Sequence, residues 1–274
     1  MDADELQARI AAFPRWNYRF ELADGVRTPV ASEAQAHRHV QRRRYFFDAL
    51  LAVCGGTLEG RRVLDLGCNA GYFSLLAAQA GADFVLGVDG REDLVEQAEL
   101  MFEASVVARE RYRFDVANVF ERPPAESFDV VLCLGMFDVS ARPLELFALM
   151  RATGAELIVI DTGISRIGSA YFEVSSLSEP ANAIDHQITL LPSREAIVEL
   201  AREFGYQTVA LAHDMGDYAG VEDYRRGQRL AFVCSRQTAL AGLDAAPAQT
   251  RWPWWADALH PRALRARLGG GPGI

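Results

Sequence analysis

A chain of 274 residues, 50% hydrophobic and 24% charged, is long enough for one large α/β domain with a full core. Its formal charge is −9, and all 28 basic residues are arginine, with no lysine anywhere. That balance argues against broad nucleic-acid binding, which needs many cations to neutralise phosphates. The clearest basic cluster is His37-Arg38-His39 with Arg42-Arg43-Arg44.

Other classes are excluded by pattern. No apolar run reaches the roughly 18 to 20 residues that cross a bilayer. Met1 to Ile10 carries Asp2, Asp4 and Glu5, unlike a secretory leader. A soluble cytoplasmic protein is the expectation. Cys54, Cys68, Cys133 and Cys234 form no C-x-x-C pair, so they read as packing thiols and no metal site is expected.

Three regions follow in chain order. Residues 1–60 form an N-terminal section of helical stretches with a polar loop around Leu22–Pro29. Residues 61–237 alternate strand-like and helix-like segments. Residues 238–274 form a tail in which Trp252, Trp254 and Trp255 are expected to dock on the domain. Within the middle region, Arg62–Leu66 is a short apolar strand ending in a glycine turn. A helix over Tyr72–Gln79 closes at Gly81. Phe84–Val88 is a strand that stops at Asp89, and helical spacing of Leu94, Val95, Ala98, Met101 and Phe102 predicts a helix from Arg91 to about Ala108. Strands are predicted at Tyr112–Val116, Asp129–Leu134 and Glu156–Ile160. Pro143 opens a helix running to Met150, and Ser193 caps one ending at Phe204, which Gly205 stops. Gln207–Leu211 and Leu230–Cys234 close the pattern.

Such alternation predicts a doubly wound, seven-stranded, mainly parallel Rossmann-like sheet, with the N-terminal section and an insert after the fifth strand added to it. Ligands of such sheets bind beyond the carboxyl ends of the strands. Asp65, Asp89, Asp115, Gly135 and Asp161 all fall at or near predicted strand ends.

The richest stretch is Val63-Leu64-Asp65-Leu66-Gly67-Cys68-Asn69-Ala70-Gly71-Tyr72. Two glycines four apart follow a strand and open a helix, where a tight turn needs their conformational freedom. A dinucleotide site requires G-x-G-x-x-G around a pyrophosphate. This loop is D-x-G-x-x-x-G, and its leading carboxylate repels a diphosphate but suits a ligand bearing ammonium and sulfonium.

The loop resembles motif I of class I S-adenosylmethionine (SAM)-dependent methyltransferases. The resemblance implies SAM as cofactor, with Asp65, Gly67, Cys68, Asn69, Gly71 and Tyr72 around its methionine end. It implies that Asp89 and Gly90 meet the ribose, Asp115 and Val116 the adenine edge, and Leu134, Gly135 and Met136 the methionine part. Across residues 16–210 the chain is similar to the wobble-uridine carboxymethyltransferase family and its small-molecule relatives. Trp16-Asn17-Tyr18-Arg19-Phe20-Glu21-Leu22 with Asp24-Gly25, Leu134-Gly135-Met136-Phe137 with Arg142-Pro143-Leu144-Glu145, and Leu191-Pro192-Ser193 with Gly205-Tyr206 carry that similarity. The family's tyrosine-histidine pair falls here on Asp138-Val139, and its N-terminal lysines are missing. Ordinary SAM and a small-molecule acceptor, methylated on O or N in bacterial natural-product biosynthesis, are therefore expected. A tRNA-modifying enzyme and a non-catalytic SAM-binding protein are the alternatives.

Acceptor chemistry points to the segment Ile164–Leu191, too long for a tight connection. A hydroxyl acceptor needs a base, and His186 is the candidate by its near-neutral titration. Tyr171 and Phe172 are candidates for an acceptor wall, and Asp138 for orienting a donor group. His213 and Asp214 form a second candidate. Arg42, Arg43 and Arg44 are spread over different helix faces, and Trp16 and Tyr18 either cover the cofactor or pack the N-terminal section onto the sheet.

Overall fold

The computed structural model describes residues 1–166, 168–176 and 187–247. The N-terminal section is α1 (Ala3–Ala11), α2 (Glu33–Arg42) and α3 (Asp48–Val53), the last two joined by a π-helical turn over Arg43–Phe47. The side chains of Asp2 and Ser32 cap α1 and α2 by accepting the amides of Glu5 and Gln35. The polar loop is folded back on itself, with Glu21 bridging Arg27 and Asp24 in the left-handed region at φ 56°.

The main unit runs β1 (Arg62–Leu66), α4 (Tyr72–Gln79), β2 (Phe84–Asp89), α5 (Glu92–Ala104), β3 (Tyr112–Val116), β4 (Val130–Leu134), α6 (Pro143–Ala152) and β5 (Leu157–Gly163). A hairpin follows, β6 (Phe172–Ser176) with β7 (Ile188–Pro192). Then come α7 (Arg194–Glu203), β8 (Gln207–Ala210), α8 (Glu222–Arg225) and β9 (Arg229–Ser235). The seven-stranded sheet has the order β3-β2-β1-β4-β5-β9-β8, with β9 antiparallel to both neighbours. The connection from β3 to β4 passes over β1 and β2, so strand order reverses between β1 and β4. Two apolar clusters fill the faces. One joins α4, α5 and the N-terminal section through Phe46, Phe73 and Met101, and the other joins α6 and α7 through Phe147 and Ile197.

The expected architecture is present, with local differences. The helix after β2 ends at Ala104 rather than Ala108, because Val106 turns left-handed at φ 55° and a 3₁₀ turn at Arg109–Arg111 leads into β3. The insert after β5 is not simply a loop. Leu190 N–H donates to the Ser140 carbonyl and the Thr189 hydroxyl to the Phe137 and Ser140 carbonyls, fastening the hairpin over the turn at Phe137–Val139. The strand expected to reach Leu211 stops at Ala210, and Leu211 pairs instead with Ala245. The tryptophan-rich tail lies outside the described residues.

One buried ion network ties the N-terminal section to the sheet. Asp161, on β5, is fully buried and takes the Arg42 Nε and Nη2 groups at 3.1 and 2.6 Å, Arg229 Nε at 3.0 Å and the Tyr224 hydroxyl at 2.7 Å. Burial alone would raise its pKa. The Arg229 and Arg42 charges overcome that and hold it below the usual carboxylate range. Of the three consecutive arginines, the first is therefore spent inside the protein, while Arg43 and Arg44 are exposed. Removing Asp161 leaves two buried guanidiniums short of their counter-charge. Asp161→Ala is expected to lose about 3 to 5 kcal/mol of stability in denaturant unfolding. A loss below about 1 kcal/mol, the value of an exposed pair, would show that the network does not hold the two parts together.

Candidate active site

The turn after β1 is built by β2. The Val88 carbonyl accepts the Gly67 and Cys68 amides at 2.8 and 3.1 Å, so the chain folds across the end of its neighbour before entering α4. Gly67 sits at φ 69° and Gly71 at φ 74°. A Cβ on Gly67 would lie 2.6 Å from Met136 Sδ, and one on Gly71 would lie 2.9 Å from Ala98 Cβ. Glycine is thus required twice, for the left-handed backbone and for close approach.

The amides of this loop already have partners. Asn69 N–H donates to Asp89 Oδ2 at 2.9 Å, Ala70 N–H to Asn69 Oδ1 at 2.8 Å and Gly71 N–H to the Cys68 carbonyl at 3.0 Å. From Gly67 to Gly71, then, the five successive N–H groups are used within the turn. A diphosphate cradle needs such amides free to point at the ligand.

The carboxyls differ in environment. Asp65 is 3% exposed, and the Ser74 hydroxyl donates to its Oδ2 at 2.6 Å. Burial pushes its pKa up to about 7; the Ser74 bond opposes this and the nearby Asp89 charge adds to it. A cation placed against Asp65 would restore its ionised form. Asp89 is equally buried but better supplied, taking the Arg91 amide at 3.1 Å and the Arg91 guanidinium on both oxygens at 3.0 and 3.1 Å.

A cleft of about 560 Å³ opens at the carboxyl ends of β1, β2 and β4, where strand order reverses. Gly67, Asn69, Asp89, Gly90, Leu134, Gly135 and Met136 from the expected set line it. Cys68 is buried behind the turn with its thiol on the Asn69 carbonyl at 3.5 Å, and burial holds that thiol well above its ordinary value. Tyr72 faces the N-terminal section and stacks on Tyr18 at 5.0 Å. Asp115 and Val116 stand back from the cleft. Asp115 pairs along its own strand with Arg113 at 3.1 Å, and Val116 is exposed. Ala117, Asn118 and Val119 line the wall instead, because the Ala117 amide bonds the Asp89 carbonyl and carries the chain past the end of β2.

The N-terminal section supplies residues that motif reading left open. Arg15, Asn17 and Tyr18 line the same cleft. Asn17 Nδ2 donates to Asn69 Oδ1 at 3.1 Å, so this segment grips the glycine turn directly. His39 meets the Asn17 carbonyl through Nε2 at 2.7 Å, which makes Nε2 the protonated nitrogen. Burial, with Arg42 nearby, pushes its pKa down to about 3 and keeps it neutral. Trp16 packs into the core, with Nε1 on the Ile10 carbonyl at 3.0 Å.

Asp138 sits against Gly163, with Oδ2 accepting from Arg229 Nη1 at 2.7 Å. Its Oδ1 is buried without a partner among the described residues. Tyr171 is exposed, and its backbone pairs with Ser193 outside the cleft. His213 packs with Tyr45, Tyr218 and Tyr224, also away from the cleft, and Asp214 takes the Gly216 amide. His186 lies outside the described residues.

Asp65 makes a pH prediction for the ligand-free protein. Its folded pKa of about 7 stands above the ordinary 3.8, so the fold prefers the protonated form. The associated stability is complete below pH 4 and is lost as pH rises through 7, a change of roughly 4 kcal/mol for a shift of this size. Asp65→Asn should flatten that slope, giving a variant more stable than the parent at pH 8. Equal unfolding free energies of the parent protein in urea at pH 5 and pH 8 would contradict this.

Comparison with known proteins agrees with the geometry. The chain is 40% identical over 82 residues to a ubiquinone biosynthesis O-methyltransferase of Neisseria meningitidis serogroup C (strain 053442), covering 30% of this chain and 34% of that one. It is 26% identical over 165 residues to a tRNA U34 carboxymethyltransferase of Idiomarina loihiensis, covering 56% and 48%. The chain thus spans between a third and a half of the length of these curated relatives. Among solved structures, the N-terminal domain of EvdMO1, determined in the presence of SAH (S-adenosylhomocysteine) and D-fucose, superposes with a TM-score of 0.63 at 21% identity, over 85% of this chain and 96% of that one; at that identity it shows the fold. Residues 37–211 match the family model described as a methyltransferase domain. With that match across most of the sheet and the acid-led glycine turn at its centre, the chain belongs to the methyltransferase-domain family, the SAM-dependent methyltransferases of class I fold.

Proposed function

We propose that this chain moves the methyl group of SAM onto an oxygen or nitrogen of a small molecule. The observation that carries the reading is the turn at Gly67–Gly71. Its amides are consumed internally while the buried Asp65 beside it has no ion-pair partner among the described residues, so the site suits a ligand with positive charge and no phosphate. SAM supplies a methyl group on a cationic sulfur, open to in-line attack.

The chain's own residues do the positioning. Asp65 balances the positive methionine end. Asp89 receives ribose hydroxyls in exchange for its Arg91 contacts, which come from a guanidinium already 41% exposed. Ala117 to Val119 wall the adenine end, and Leu134 to Met136 run beside the methionine part. Such fixed placement accounts for most of the rate gain in a displacement of this kind. The β6–β7 hairpin covers the Phe137–Val139 turn and excludes water from the neighbouring acceptor region. Asp138, steadied by Arg229, stands there to orient an acceptor hydroxyl or amine through its unpartnered oxygen. The O-methyl chemistry in the name of the ubiquinone relative, and the sugar present with EvdMO1, support a hydroxyl acceptor.

An RNA acceptor is the competing reading, drawn from the tRNA relative. The charge distribution disfavours it. Arg42 is buried on Asp161 and Arg38 is committed to Asp223 at 2.7 Å, which breaks up the basic cluster. Two measurements test the proposal. Asp89→Ala should weaken SAH binding about tenfold or more in calorimetry, as expected for losing bonds to a charged group; an unchanged affinity removes the ribose role. In gel-shift experiments at moderate salt the protein should leave tRNA free. A salt-sensitive complex with tRNA would replace the small-molecule acceptor with an RNA one.

A further inference from the structure

In the ligand-free protein Asp89 is already occupied. It lines the cleft, and each of its oxygens carries two donors. Oδ1 takes the Arg91 amide at 3.1 Å and Arg91 Nε at 3.0 Å; Oδ2 takes the Asn69 amide at 2.9 Å and Arg91 Nη2 at 3.1 Å. An ionised carboxylate has about four acceptor positions, so this one is full.

The four donors are of two kinds. The Asn69 amide belongs to the glycine turn and the Arg91 amide to the entry of α5, so the backbone fixes both. The Nε–Nη2 fork ends a side chain that is 41% exposed and lines the same cleft. It can swing out while the backbone stays in place. A guanidinium fork offers two parallel N–H groups to the two oxygens of one carboxylate. The vicinal hydroxyls of a ribose offer two O–H groups in the same pattern, and Asp89 has room for one such pair.

We propose that the Arg91 side chain is an internal competitor for the ribose seat: it holds Asp89 in the empty cleft, and the cofactor displaces it to bind. The inference rests on the SAM reading and adds a property which that reading does not require, an affinity set below what the cofactor's own contacts would give. While the cleft is empty the pair keeps Asp89 compensated, with the second buried acid, Asp65, close by. When the spent cofactor leaves, the guanidinium takes the seat back and so favours release.

Calorimetry with SAH tests it. Arg91→Met keeps an apolar stem and the backbone amide and removes the fork. It should tighten SAH about three- to tenfold, the worth of a charge-assisted pair with one partly exposed partner. Arg91→Lys keeps the charge without the fork; it should tighten SAH by less, and it serves as the second variant should the first fail to fold. In an Asp89→Asn background there is no carboxylate to free, and Arg91→Met should leave SAH within about 1.5-fold. Weaker SAH binding by folded Arg91→Met would make the guanidinium a contact of the bound cofactor and overturn the competitor. Unchanged affinity, or equal tightening in both backgrounds, overturns it as well. A parent protein that does not bind SAH sinks the cofactor reading itself, a result distinct from a parent that binds SAH and a variant that binds it no better.

Discussion

A single carboxylate held between two guanidiniums organises this molecule. Asp161 sits near the end of β5, and its partners come from distant places: Arg42 from the end of α2, Arg229 from the start of β9 and Tyr224 from α8. Each of these charges is costly to bury alone, and together they satisfy one another. Because Arg42 is fixed, the π-helical turn after it and the aromatic stack of Tyr18, Tyr72 and His39 beside it have defined positions. Because Arg229 is fixed, Asp138 is also held. The N-terminal wall of the cleft and the Phe137–Val139 turn therefore hang from one buried anion.

The glycine turn shows a different economy. In phosphate-binding Rossmann folds the loop amides face the ligand. Here β2 claims two of them through Val88, Asp89 claims a third and the turn closes on itself for the rest. The electrostatics of the site then come from side-chain carboxyls and not from the backbone. That change suits a cofactor whose reactive end is positive, and it explains why the acid before the first glycine matters as much as the glycines.

Much of this was legible in the sequence, for identifiable reasons. The strands are short apolar runs closed by glycine or aspartate, and the turn needs residues that tolerate φ near +70°, so both leave local marks. Asp115 and Val116, expected at the cleft, stand back from it, and Ala117, Asn118 and Val119 line it. A strand end is set by its neighbour's hydrogen bonds, here from the Ala117 amide to the Asp89 carbonyl, and Asp115 had a nearer cation in Arg113. The β6–β7 hairpin left little pattern because β6 is largely exposed and apolar Val174 and Ile188 point outward, while the contacts that fasten it come from the distant Phe137–Val139 turn. The Arg42–Asp161 pair joins residues 119 apart, and nothing local in either one announces the other. For Tyr18 the sequence leaves cover and packing open for the same reason: its ring contacts come from separate segments, His39 on α2 and Tyr72 and Phe73 on α4.

The four cysteines carry a practical consequence. All are free and buried, one behind the glycine turn, one in β4, one in β9 and one after α3, and burial raises the pKa of each thiol. Alkylating reagents attack the thiolate and need access to it. The folded chain is thus protected at widely separated points of its core, and each thiol becomes reactive only when the layer above it opens. The rate of labelling at each position accordingly gauges how often that part of the sheet comes apart, with no foreign probe introduced.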